Sequence, residues 1–224
     1  MANRLYENTK RITDTREDMS SFLFHLTKGD EPLNVLQKIL SEDKLIAGDC
    51  GYICFTEAPI TMLPKMIDYF ARYNEKAKFS PYGLGFRKDF LFYKGARPVI
   101  YSDYGEDALL DESIRWRYQP FHPIKYNSPE NHSVYRDYTW MREWRLPHKE
   151  FCFNEKECLV ITKDSWENIL FQELGQMESV DDIPNWKRKY KNISFQDIVE
   201  GDSIMSKQEF VEFISEQIIG EEID

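Results

Sequence analysis

The sequence has no long hydrophobic run, no excess of basic residues, few cysteines and no internal repeat or low-complexity tract. A membrane-spanning helix needs about 20 consecutive apolar residues, so we expect no association with a membrane. Residues 1–18 are polar and lack the apolar core of a signal peptide. We therefore expect a cytoplasmic protein.

Basic residues are outnumbered, because 29 Lys and Arg stand against 39 Asp and Glu and give a formal net charge of -10. Such a charge opposes nonspecific binding to nucleic acid, since attraction to the phosphates dominates that affinity. A local basic patch is still compatible with this balance. The acidic surface suits a protein partner that has a basic face.

The cysteines are too widely spaced for an ordinary structural zinc site. Cys50 and Cys54 are four residues apart, and Cys152 and Cys158 are six residues apart, whereas zinc sites usually contain closer pairs. The sequence also has no HExxH or paired-carboxylate motif. We expect reduced, mostly buried thiols and no bound metal.

The 224 residues, 42% hydrophobic and 15% aromatic, are sufficient for one globular core. We expect a lead-in over residues 1–19, a domain over residues 20–175 and an acidic helical extension over residues 176–224. Period-two patterns predict strands and period-3.6 patterns predict helices, and their mixed, non-repeating order favours an α+β fold. The predicted strands cover residues 22–27, 52–56, 82–86, 98–101 and 158–162. The predicted helices cover residues 31–42, 61–76, 106–119 and 166–174, with a last one near the C-terminus, and residues 120–131 are predicted to form a long loop.

A histidine in the first predicted strand is the sharpest single candidate for a functional residue. His25 and Thr27 alternate with large apolar residues, so both point to the same face. A hydrogen-bonded core histidine is the alternative interpretation. The turn that follows at Gly29 allows a ligand to approach closely.

A glutamate between arginines and tryptophans is the second candidate. As a strand, this segment places Met141, Glu143 and Arg145 on one face. A carboxylate there can accept a hydrogen bond from a ribose hydroxyl and stabilise positive charge at the anomeric carbon, although an ordinary surface ion pair is the alternative. Glu57 is a rival carboxylate for which a structural role at the end of a strand is favoured. Guanidinium groups can bind a phosphate through two N–H groups at once. The candidate phosphate ligands are therefore Arg87, Arg97, Arg115 and Arg117.

Three stretches in this order, FLFHLTKG, GYICFTEAP and YTWMREWRLP, resemble the three-part signature of the ADP-ribosyltransferase-like fold. The chain is most similar to the AbiGi-type proteins of bacterial abortive-infection systems. The resemblance covers roughly residues 20–162. It implies a split mixed β-sheet with flanking helices, which binds NAD as a substrate in a cleft and needs no metal.

The resemblance also implies roles for individual residues. His25 would hold the adenosine-side ribose and take part in catalysis, Thr27 would help to anchor the nicotinamide amide, and Glu143 would be the catalytic glutamate. Nicotinamide would leave, and a protein, nucleic-acid or small-molecule acceptor would attack. The second motif would be lined by Tyr52, Phe55 and Thr56.

Two departures from the family pattern leave other functions open. The second motif is not Ser-Thr-Ser, and Met141 stands where a Glu or Gln would precede Glu143 by two residues, which makes arginine modification a less favoured reaction. The chief alternative is a noncatalytic nucleotide- or protein-binding partner, an antitoxin or a sensor, in a two-component system. A metal-dependent nuclease built on His25, Glu57 and Glu143 is a third hypothesis.

Overall fold

Strands dominate the structure. The computed structural model describes residues 12, 15–72, 79–127, 133–163, 190, 192–200 and 203–204. Numbered along the chain, the strands are β1 (Phe22–Leu26), β2 (Lys44–Ile46), β3 (Ile53–Thr56), β4 (Gly83–Arg87), β5 (Arg97–Pro98), β6 (Ile100–Ser102), β7 (Tyr118–Pro120), β8 (His122–Asn127), β9 (Ser133–Arg136), β10 (Glu143–Leu146), β11 (Glu150–Cys152), β12 (Cys158–Thr162), β13 (Asn192–Ser194), β14 (Val199–Glu200) and β15 (Ser203–Ile204). The helices are α1 (Pro32–Glu42), α2 (Leu63–Arg72), α3 (Lys88–Tyr93) and α4 (Phe195–Ile198).

A seven-stranded sheet forms the centre of the fold, with the strand order β13-β12-β4-β1-β3-β10-β5. Every neighbouring pair is antiparallel except β12 and β13, which are parallel. The remaining strands form four two-stranded sheets. The protein is therefore an α+β protein with a mostly antiparallel sheet and few helices among the described residues.

Side chains alternate between two faces of this sheet. Phe24 lies opposite Thr56, and Thr56 lies opposite Glu143. Residues directly opposite each other project to the same side, so we name this side the Glu143 face. The other side carries the alternate residues, among them His25 and Phe55, and is named the His25 face.

Each face of the sheet is covered by its own hydrophobic core. On the His25 face the strands pack against α1, α3 and the β2–β11 pair. The core there includes Leu23, Leu36, Leu40, Leu45, Phe55, Leu84, Phe86, Leu91 and Phe151. On the Glu143 face the core includes Phe24, Leu26, Ile60, Leu63, Leu159, Ile161, Ile193 and Ile198. A sheet buried on both faces explains why the central strands are apolar almost throughout.

The strongest sequence patterns correspond to observed elements. The predictions over residues 22–27, 52–56, 82–86 and 158–162 are confirmed as β1, β3, β4 and β12, and the helix predicted over residues 31–42 is confirmed as α1. The backbones of β1 and β4 approach each other closely at Gly83. A Cβ on Gly83 would lie 2.3 Å from the His25 carbonyl oxygen, so only glycine fits there.

Two predictions in the middle of the chain are wrong. Residues 106–119 do not form one helix but two 3₁₀ turns, Glu106–Leu109 and Arg115–Arg117, followed by β7. Asp111 accepts hydrogen bonds from the backbone and hydroxyl of Ser113, and such local bonds compete with helix formation. The predicted loop over residues 120–131 contains β8, which pairs with β9.

Part of the predicted C-terminal extension belongs to the central sheet. β13 pairs with β12, and Ile193 and Ile198 are fully buried. The helix predicted over residues 166–174 and the last predicted helix lie outside the described residues. The domain boundaries at residues 19 and 175 remain predictions.

Candidate functional site

The three motif segments lie side by side. β1 carries His25, β3 ends at Thr56 and β10 begins at Glu143, and β3 is bonded to both other strands. Antiparallel pairing brings Thr56 and Glu143 directly opposite each other. His25 and Thr56 are 31 residues apart in the sequence, and Thr56 and Glu143 are 87 residues apart. The fold thus brings these distant residues onto three adjacent strands.

Glu143 is held by Arg145, which lies two residues further along the same face. Arg145 Nε donates to Glu143 Oε1 at 2.8 Å, and the exposed fractions of the two residues are 3% and 8%. The alternative of an ordinary surface ion pair is therefore wrong, because the pair is buried. The remaining Arg145 nitrogens donate to the carbonyls of Trp116 and Tyr118 and to Gln119 Oε1, at 2.8, 2.7 and 2.6 Å.

An aromatic and a thiol complete the surroundings of this pair. The Arg145 guanidinium lies 4.3 Å from the centroid of the Tyr52 ring, a cation–π distance. Cys54 lies opposite Arg145. Burial raises the pKa of Cys54 to about 12, and the Glu143 carboxylate contributes to this by its charge and by a hydrogen bond. The thiol is therefore not a nucleophile at neutral pH.

The backbone around Glu143 is fixed on both sides. Its N–H donates to the Tyr101 hydroxyl at 3.0 Å, and its carbonyl accepts from Val99 at 2.9 Å. Arg142, immediately before it, has a φ of 45°, a conformation that non-glycine residues seldom adopt. This residue separates a 3₁₀ turn, Thr139–Met141, from β10. Met141 therefore does not share a strand face with Glu143, contrary to the predicted alternation.

His25 is brought close to Glu143 in the sheet but on the opposite face. Its Nδ1 is 2.8 Å from the Cys54 carbonyl oxygen. Its ring packs edge-on against the Phe55 ring, with 5.9 Å between the two ring centroids. Burial lowers the pKa of His25, the hydrogen bond with the Cys54 carbonyl opposes this, and the charge of Lys28 adds to it. The imidazole is thus neutral at physiological pH. Its side chain and the Glu143 carboxylate do not line one wall.

The other predicted ligand residues of the first two motifs are engaged in the fold. The Thr27 hydroxyl lies 2.8 Å from Ser80 Oγ and donates to the Tyr82 carbonyl at 3.0 Å. Phe55 is buried in the core of the His25 face. The Thr56 hydroxyl donates to the Met141 carbonyl and accepts from the backbone of Ala58. These contacts give the three residues structural roles.

Glu57 has the structural role that its position at the end of a strand favoured. Its two carboxylate oxygens accept from Lys88 Nζ at 2.9 Å and from Trp144 Nε1 at 2.7 Å. It is 8% exposed, the same fraction as Glu143. Glu57 therefore links α3 to β10 on the His25 face. Arg87 is the last residue of β4, directly before Lys88 and opposite Phe22, and its guanidinium pairs with Asp89 in an exposed bidentate arrangement.

The residue that holds Glu143 has only a weak signal in the sequence. Arg145 follows the glutamate by two residues, and this spacing in a strand places both side chains on one face. Its contacts with residues 116–119 have no signal in the sequence, because they join segments about 27 residues apart. The pairing of the two charges is therefore predictable, whereas the burial of the arginine is not.

Comparison with known proteins adds no assignment. No protein-family model matches the chain, and neither the curated proteins nor the solved structures contain a significant match. Among the described residues there is no group of three or more His, Cys, Asp or Glu placed to hold a metal ion. Within the same part of the chain, every helix is too short or too polar to cross a membrane.

Proposed function

We propose that the protein is an NAD-dependent ADP-ribosyltransferase-like effector of bacterial antiviral defence. It breaks the bond between nicotinamide and ribose and passes ADP-ribose to a macromolecular acceptor. The Glu143 carboxylate accepts a hydrogen bond from a ribose hydroxyl and stabilises the positive charge that develops at the anomeric carbon. The assignment to defence, and the split-sheet fold of that family, come from the resemblance of the three motifs.

The observation that supports this proposal best is the placement of Glu143. The glutamate begins β10, next to the strand that carries the second motif, and that strand is next to the one that carries the first. Arg145 holds Oε1 in one orientation. A fixed carboxylate is what stabilisation of a developing charge requires, because no reorganisation is then needed during the reaction.

His25 is assigned a separate role. Because its side chain lies on the other face of the sheet, it does not act on the bond that Glu143 serves. Its contribution to binding the adenosine-side ribose is a distinct part of the proposal, tested by the binding of NAD and not by the rate of bond cleavage.

The test is the release of nicotinamide from NAD by the purified protein, with and without cell extract. Glu143→Gln is expected to lower turnover by at least about 100-fold, the range found when a transition-state contact is removed. Glu57→Gln is the matched control, since that glutamate is equally buried but lies on the His25 face. The control is expected to keep turnover within a few-fold of the wild type.

Equal turnover by the wild type and Glu143→Gln, in variants that melt cooperatively, would exclude Glu143 as the catalytic residue. A requirement for extract would indicate that an acceptor or activator is needed. His25→Gln is expected to weaken NAD binding while leaving the rate at saturating NAD within a few-fold.

A noncatalytic binding partner is the second candidate, and one observation favours it. Glu143 is neutralised by a buried arginine whose own hydrogen bonds are used within the fold. Such a network stabilises structure without any ligand. This candidate predicts no nicotinamide release under any condition, together with stable co-purification of a basic protein that dissociates at high salt.

A further inference from the structure

Two arginines meet where α3 ends and β5 begins. The Arg97 guanidinium stacks on the Phe92 ring, 4.0 Å from its centroid. Its Nη1 donates to the carbonyls of Phe92 and Ala96 at 2.8 and 2.7 Å. Arg117 Nε donates to the Pro98 carbonyl at 2.9 Å. Both side chains are thereby anchored to one short stretch of the edge of the sheet.

These two arginines lack acidic partners in the part of the chain that the structure describes. Neither forms an ion pair there, whereas Arg16, Arg87 and Arg145 each pair with a carboxylate. The pKa of Arg117 is lowered, first by burial and then by the charge of Arg97. A nearby carboxylate would have the opposite effect. In a chain with a net charge of -10, this is a local concentration of positive charge.

An exposed aromatic ring lies against Arg97, and a second exposed ring follows it in the sequence. Phe92 is 50% exposed although one side of its ring is occupied by Arg97, and Tyr93 is 87% exposed. Lys94 follows directly in the sequence. Aromatic rings beside arginines are the combination that single-stranded nucleic acids require, because bases stack on the rings and phosphates pair with the guanidiniums.

We propose that this corner, formed by Phe92, Tyr93, Lys94, Arg97 and Arg117, binds single-stranded nucleic acid. The two guanidiniums contact backbone phosphates, and an unpaired base stacks on an exposed ring. A duplex does not suit the corner, because stacking on a side chain needs a base that is not already stacked in a helix. An acidic protein segment is the competing occupant, and it would use the charges but not the rings.

The corner is adjacent to the candidate site. Arg97 lies opposite Arg145 in the β5–β10 pair, and the backbone of Val99 bonds to that of Glu143 at 2.9 Å. A nucleic-acid strand bound at the corner therefore lies beside the β-strand that carries Glu143. Its use as the ADP-ribose acceptor rests on the proposed function, whereas its binding does not.

The test is fluorescence anisotropy with labelled oligothymidine and oligouridine of about 12 nucleotides, within the usual range for such sites. It uses the full chain without NAD at about 50 mM salt, where phosphate binding is strong. Wild-type protein is expected to bind, and the double variant Arg97→Gln/Arg117→Gln to bind at least about tenfold more weakly. The slope of log affinity against log salt is expected to fall by about 1.4, since each phosphate that is no longer neutralised lowers it by about 0.7.

Three further variants separate charge, stacking and folding. Arg16→Gln removes an exposed arginine that pairs with Asp18, and it is expected to bind as the wild type does. Arg97→Lys/Arg117→Lys keeps the charge and is expected to recover most of the salt slope. Tyr93→Ser is expected to weaken binding at least about fivefold without changing the slope.

Absence of oligonucleotide binding by the wild type would overturn the proposal, as would equal affinities for the wild type and the double glutamine variant. Equal competition by a poly-glutamate peptide, together with no effect of Tyr93→Ser, would assign the corner to an acidic protein and also overturn it. Because no step involves NAD, failure of the transferase proposal leaves this result unaffected.

Discussion

His25 and Glu143 project from opposite faces of one sheet, although a single strand separates the strands that carry them. Phe24, not His25, shares the face of Thr56 and Glu143. A substrate bound against Glu143 thus lies on the side of the sheet that carries Phe24, and the backbone of β1 separates it from the His25 imidazole. This relationship is why the two residues are assigned separate roles and separate tests.

Arg145 is expected to be a main contributor to the stability of the β10 edge. Arg145→Met leaves the buried Glu143 carboxylate without its partner, and we expect a loss of about 3–5 kcal/mol in the free energy of unfolding. Urea unfolding measures this loss. Arg115→Met, at an exposed arginine, is the control and is expected to change stability by about 0.5 kcal/mol or less. Similar losses in the two variants would contradict the structural role of the buried pair.

Gly83 is expected to tolerate no side chain. In Gly83→Ala the new Cβ would lie 2.3 Å from the His25 carbonyl oxygen and 2.8 Å from Leu26 Cα, both backbone atoms that cannot move aside independently. We expect a loss of about 3 kcal/mol from this overpacking. Gly48→Ala is the matched control, since an added Cβ there meets nothing within 4 Å. Thermal melting of both variants distinguishes a local clash from a general effect of removing glycine.

The partly buried His25 is expected to make stability depend on pH. Because burial lowers the pKa of His25 in the folded state, the unfolded chain takes up its proton at a higher pH, about 6.5. The stabilising effect of a neutral His25 is fully present above that value and is lost as the pH falls through it towards the folded pKa. Urea midpoints between about pH 8 and pH 5 should therefore fall more steeply for the wild type than for His25→Gln. Parallel curves would show that the folded imidazole titrates normally.

The thiol beside Glu143 is expected to report on that carboxylate. Cys50 and Cys152 are exposed, contrary to the predicted burial of most thiols, and we expect them to react rapidly with a thiol reagent at about pH 8. Cys54, with a pKa of about 12, and the buried Cys158 should react slowly. Glu143→Gln removes a charge that raises the pKa of Cys54, so alkylation of Cys54 should become faster. Mass spectrometry of the labelled peptides measures the rate at each cysteine, and an unchanged rate at Cys54 would show that the carboxylate does not influence the thiol.

Much of the central sheet was predictable because its signals are local. β1, β3 and β12 are apolar stretches, and α1 has apolar residues at helical spacing. Each of these signals lies within one segment and predicts that the segment is buried. The prediction failed over residues 106–127. There the apolar residues are sparse, Leu109 is 82% exposed, and turns and strand pairings fixed by distant contacts determine the conformation. A pattern read within one segment contains no information about such partners.

The sequence by itself determined the alternation of strands and helices and the buried nature of the motif strands. It also determined the choice of Glu143 as the candidate carboxylate. Only the tertiary structure decided the register, and register decides which side chains share a face, since a shift of one residue moves every side chain to the other side. It thus separated His25 from Glu143, buried Arg145 against residues 116–119 and brought Arg97 beside Arg117. Those relationships depend on pairings between segments far apart in the chain, whose geometry no local pattern specifies.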